Sequence, residues 1–133
     1  MKRIILFCLL ASIASGLQSQ TRKYFCEIKG IENVLSSGLK IVFDFGSSKV
    51  YSIWDGLKGN QKLVDENGKE IKFNSMVDAG NYMVQKGWTF QQAYSSSFQG
   101  SPIIHWIFYK EAQSAEEAAV GLETKETFKK KNQ

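Results

Sequence analysis

The chain has 133 residues, 43% hydrophobic and 23% charged, with a formal net charge of +4. That length supports one modest core and not two. Most lysines are interspersed with acids, and Glu116, Glu117, Glu123 and Glu126 offset the one basic run, Lys129 to Lys131. The clustered positive face that a phosphate backbone needs is absent, which excludes nucleic acid as the expected partner.

Met1-Lys2-Arg3 is followed by an uncharged apolar run from Ile4 to Ile13, then by small and polar residues from Ala14. This order describes a secretory signal peptide, assigned to residues 1–19. The run falls short of the roughly 18 residues that a mature membrane span needs. Cleavage after Gly16 suits the small residues Ala14 and Gly16, and a cut near Ser19 is the alternative. The expected protein is bacterial and exported, periplasmic or extracellular, with no stable membrane insertion once the leader is removed. Cys8 goes with the leader, so Cys26 has no partner for an internal disulfide. Cys26 alternates with Tyr24 and Ile28 and reads as a small buried hydrophobe. Without Lys2 and Arg3 the charge falls to +2.

Residues 20–111 are expected to form a single α+β domain. Alternation from Tyr24 to Ile28 predicts a half-buried strand. Leu39, Ile41, Phe43 and Phe45 repeat that signal, and "KVYSIW" (49–54) follows a short Gly-Ser-Ser gap, which predicts a hairpin. Asn67-Gly68 within 61–73 predicts a second, short hairpin. Ser75 and Asp78 then stand in capping-box spacing. Met76, Ala79, Gly80, Met83 and Val84 form one apolar helical stripe, with Lys86 complementing the helix end and Gly87 closing it. Gly80 costs a helix roughly 1 kcal/mol relative to alanine, a cost that close approach to a sheet would justify. Trp88 opens a strand and is expected to fold back over the helix, with Trp88, Phe90 and Tyr94 on one side. "SSSFQGSP" (95–102) reads as a flexible connection ended by Pro102. "IIHWIFYK" (103–110) is apolar on both faces, as a central strand is. Residues 112–133 are expected to be a C-terminal helix, started by Ser114 and Glu117, or a flexible tail that frays beyond Gly121. The whole predicts an antiparallel sheet of about five or six strands with one main helix packed on one face.

The stretch "FNSMVDAGNYMVQKGWTFQQAY" followed by "IIHWIFYK" resembles a family of short bacterial domains of unknown function with a helix-Gly-Trp-strand signature, in an exported version. Asn81, Gly87, Trp88 and Lys110 carry the match. Gly80 stands where that family has leucine, and Thr89 replaces an acidic residue. The resemblance implies a small helix-on-sheet fold and no catalytic residues.

No motif calls for a cofactor or a metal. The one histidine, His105, cannot build a histidine cluster, and it reads as a satisfied strand residue rather than as the base of a Cys26 nucleophile. Asp65-Glu66-Asn67-Gly68 begins like a calcium loop, but position twelve is Met76 and the closing carboxylate is missing. Asp44-Phe45-Gly46 matches the kinase magnesium triplet without any companion motif. The aromatics are the feature with functional potential, because exposed rings offer rigid contact area. Gln91, Gln92, Tyr94 and Trp54 are the candidate binding residues, while Gly87, Trp88 and Trp106 are assigned to structure. The expected function is a non-enzymatic binding module for a protein or glycan. The alternative is a small carboxylate-dependent hydrolase using Asp44 and Asp55. A strand apolar on both faces also leaves room for homo-oligomer formation.

Overall fold

A computed structural model of the chain describes residues 20–32, 38–46, 59 and 61–133. The fold is α+β, with a four-stranded antiparallel sheet, a second two-stranded sheet and one main helix. The large sheet contains β1 (Arg22–Glu32), β2 (Leu39–Asp44), β4 (Thr89–Phe98) and β5 (Ser101–Ala112), in the order β2-β1-β5-β4. The small sheet pairs β3 (Leu63–Val64) with β6 (Glu123–Thr124). The helix α1 spans Met76–Gln85, and two shorter helices, α2 (Ala115–Ala118) and α3 (Lys125–Lys131), follow β5 and β6. The segment 49–54, expected to pair with β2, lies outside the described residues. Among those residues no helix is long and apolar enough to cross a membrane.

Alternation in the strands sorts the side chains into two faces. Register pairs Cys26 with Phe108, Ile28 with Trp106 and with Phe43, and Gly30 with Ile41, so these residues share the inner face. Met76, Ala79, Gly80 and Met83 of α1 are buried on it. Trp88 joins the same core at 3% exposure, its ring edge-on to Phe45 at 5.7 Å. Val84, expected in the helix stripe, is 56% exposed instead. Gly80 sits so near the sheet that a Cβ there would fall 2.8 Å from the Trp106 ring.

The helix ends have named partners. The Ser75 hydroxyl accepts from the Asp78 N–H at 3.1 Å, and the Asp78 carboxylate accepts from the Asn74 N–H at 2.9 Å, one residue earlier than a standard capping box. At the other end Gly87 takes φ 84°, which sends the Trp88 N–H back to the Met83 carbonyl at 3.0 Å. Lys86 is the C-cap rather than a last-turn residue, and its carbonyl accepts from Lys110 Nζ at 3.0 Å.

Three expectations are corrected. Residues 95–102 are not a flexible connection: β4 continues to Phe98, and Gln99 and Gly100, with φ 48° and 81°, make a two-residue turn directly into β5. Trp88, Phe90 and Tyr94 do not share a side. A bulge between Phe90 and Gln92 shifts the register, so Phe90 pairs with Phe108 while Tyr94 pairs with His105 on the opposite face. Finally, the chain beyond Gly121 is built into the fold. β6 pairs with β3, the Lys125 N–H donates to the Lys62 carbonyl at 2.9 Å, and Thr124 with Thr127 forms a capping box for α3. The short Asn67-Gly68 hairpin is present as a single bridge between Val64 and Glu70, with Asp65 accepting from the Asn67 and Lys69 N–H groups.

Candidate functional site

The Gln99-Gly100 turn fixes which residues of β4 face which residues of β5. It sets Ser96 opposite Ile103 and Tyr94 opposite His105, all on the outer face of the sheet, away from α1. On the other side of β5, Glu27 pairs with Ile107 and therefore lies diagonal to His105. Three strands thus deliver four polar side chains to one spot.

They form a continuous hydrogen-bonded chain. Ser96 Oγ and His105 Nε2 are 2.8 Å apart, and His105 Nδ1 and Glu27 Oε1 are also 2.8 Å apart. The Tyr94 hydroxyl donates to the same Glu27 oxygen at 2.7 Å, and the Tyr94 ring stacks on the imidazole with centroids 4.3 Å apart and planes 4° from parallel. Lys29 Nζ lies 3.0 Å from Glu27 Oε2 and 3.6 Å from Asp44 Oδ2. His105 is only 9% exposed, whereas Ser96 stands exposed at the end of the chain.

Charge fixes the direction of these bonds. Burial pushes the Glu27 carboxyl up, but hydrogen bonds from Tyr94, Lys29 and His105 outweigh it and hold the group below the usual carboxylate range. An ionised carboxylate only accepts, so His105 Nδ1 donates to Glu27. In the neutral ring Nε2 then accepts from the Ser96 hydroxyl. The bond to Glu27, with burial second, pushes the Tyr94 hydroxyl up to about 12.

The outer face around this cluster is uneven. Val42, Ile31 and Ile103 are buried, while Phe25 is 53% exposed and pairs with Tyr109 at 6.4 Å. β4 itself is exposed at every position from Thr89 to Ser97, carries no charged residue, and forms one edge of the sheet among the described residues.

Of the candidate binding residues, Gln91, Gln92 and Tyr94 all lie on β4 and are exposed, with Gln91 at the bulge and Gln92 and Tyr94 on the outer face. Trp54 and Asp55 lie outside the described residues. Gly87, Trp88 and Trp106 sit at the helix end, in the core and beneath Gly80. Cys26 faces inward and His105 outward, so the two form no pair, and burial pushes the Cys26 thiol well above its usual range. Sequence reasoning missed Ser96 and Glu27. The Gln-Gly turn, read as a tight hairpin, is the signal that sets Ser96 diagonal to the single histidine, whereas no local signal marks Glu27, which the β1 to β5 register brings there.

One other place is less organised. A groove of about 1000 Å³ opens between α1 and the C-terminal segment, lined by groups of both signs, including Lys86, Lys131, Glu116 and Glu123. Among the described residues no cluster of three or more His, Cys, Asp or Glu could hold a metal ion. No family model, curated protein or solved structure matches this chain.

Proposed function

We propose that the chain is an exported binding module that captures an extended polypeptide segment along β4. The observation that carries this reading is the uncharged edge from Thr89 to Ser97, unpaired on its outer side among the described residues and exposed on both faces. Natural edge strands are commonly guarded by lysine, proline or short length. β4 has ten residues and neither residue type, only the bulge at Gln91. Counting from the Gln99-Gly100 turn, alternate residues spend their backbone groups on β5, so Ser97, Ser95 and Ala93 direct theirs toward the free edge. An added strand would pair there. Tyr94 and Gln92 on one face and Phe90 on the other would then read alternate side chains of the partner.

Carboxylate acid–base catalysis has weaker support. Lys29 stands between Glu27 and Asp44, and Glu27 is held ionised, the opposite of what a general acid requires.

A peptide-display selection on the purified protein tests the binding reading. Extended peptides with alternating apolar residues should be enriched, and Ser95→Pro, which removes one outward N–H without disturbing the β5 ladder, should weaken them at least tenfold. Enrichment of glycans on an array with no peptide selected, or peptide binding indifferent to Ser95→Pro, would contradict it. Self-pairing of two β4 edges would appear as a dimer that Ser95→Pro dissociates, and it would replace the peptide partner with a second copy of the chain.

A further inference from the structure

The hydrogen-bonded order hydroxyl, imidazole, carboxylate does not follow from a docking edge and needs its own account. A weak hydroxyl nucleophile is activated when a base lies within hydrogen-bond reach and a third group orients that base. Ser96, His105 and Glu27 meet both conditions at 2.8 Å each. The ring is held on two further sides: Tyr94 stacks on its face, and burial leaves it little freedom. Ser96, by contrast, is exposed on an open strand where a reagent can approach.

We propose that Ser96 is a nucleophile that accepts an acyl group from an activated carboxylic ester, with His105 as its base and Glu27 as the residue that positions the imidazole. Ser96 Oγ bonds to the acyl carbon as its proton passes to His105 Nε2. The bond from that carbon to the leaving oxygen breaks, and the departing oxygen takes the proton from Nε2 and leaves as an alcohol or phenol. Water repeats the exchange on the acyl-serine, releasing the carboxylic acid and restoring the hydroxyl.

The surroundings narrow the substrate. Among the described residues, the outward N–H groups of Ser95 and Ser97 flank Ser96 and are not consumed by β5. Ile103, Phe98 and Tyr94 are the nearby side chains, which suits an uncharged acyl group. Because Ser96 itself is exposed on the edge strand, positioning is weak and the ester must bring a good leaving group. An aryl ester fits, and an unactivated amide does not.

The test is covalent labelling of the purified protein with an alkyl fluorophosphonate, which phosphonylates an activated serine and expels fluoride. Fragment mass spectrometry should place the adduct on Ser96, formed at least tenfold faster than on Ser95 or Ser97. Those neighbours serve as controls within the same folded molecule, so the comparison does not depend on any variant folding. Glu27→Gln should slow labelling at least tenfold, and the protein should release nitrophenol from p-nitrophenyl acetate in a burst that Ser96→Ala abolishes. Equal labelling of the three serines, or none, would overturn the proposal, and so would a burst that persists in Ser96→Ala.

Discussion

Glu27 is the residue on which the outer-face cluster turns, because one carboxylate receives Tyr94, His105 and Lys29 together. Its pH behaviour follows from its lowered folded value. The stability it contributes is complete above the ordinary carboxylate value of 4.5 and is lost as the pH falls through the lower folded value. Tyr94 runs the other way: its contribution is complete below its ordinary value of 10.0 and is lost as the pH rises through about 12. An ultraviolet titration should therefore find one of the five tyrosines ionising near 12, and Glu27→Gln should bring that step back toward 10.0. Five tyrosines titrating together in the folded protein would show that the Tyr94 to Glu27 bond does not form.

At the scale of elements, the α1 to Gly87 to Trp88 passage was the most legible part of the chain. Its signals are local: a cap three residues before a carboxylate, an apolar stripe, and a glycine where φ turns positive. Gly80 shows how local propensity and packing oppose each other. Alanine would favour the helix by about 1 kcal/mol, but its methyl would meet the Trp106 ring at 2.8 Å, and overpacking of this kind costs about 1–3 kcal/mol. Gly80→Ala should lower the thermal midpoint in calorimetry, and a raised midpoint would mean that the helix stands farther from the sheet. β4 was less legible. One extra residue at the bulge reverses every side chain beyond it, so Tyr94 left the face predicted for it. The turn was missed because Gln99 adopts a positive φ that glutamine seldom takes, and three serines before it read as a loop.

At the scale of the whole molecule, sequence reasoning reached the α+β class and the central position of β5, yet not the division of strands between two sheets. β3 and β6 contribute two residues each and pair residues as far apart in the chain as Leu63 and Thr124, so no periodicity marks them. Backbone bonds tie the small sheet in, from the Phe43 N–H of β2 to the Gln61 carbonyl and from the Lys125 N–H to the Lys62 carbonyl, and Leu63 and Leu122 join the common core. The candidate site is likewise a product of long-range register, since Glu27 and His105 are 78 residues apart and meet only because β1 and β5 pair in one alignment. Both the docking edge and the serine cluster depend on the same register of β4 against β5. Residue-resolved hydrogen exchange measures it directly: the amides of Tyr94, Ser96 and Phe98 should be protected, while those of Ala93, Ser95 and Ser97 exchange freely. Protection of the opposite set, or of all six amides alike, would contradict both the register and the free edge.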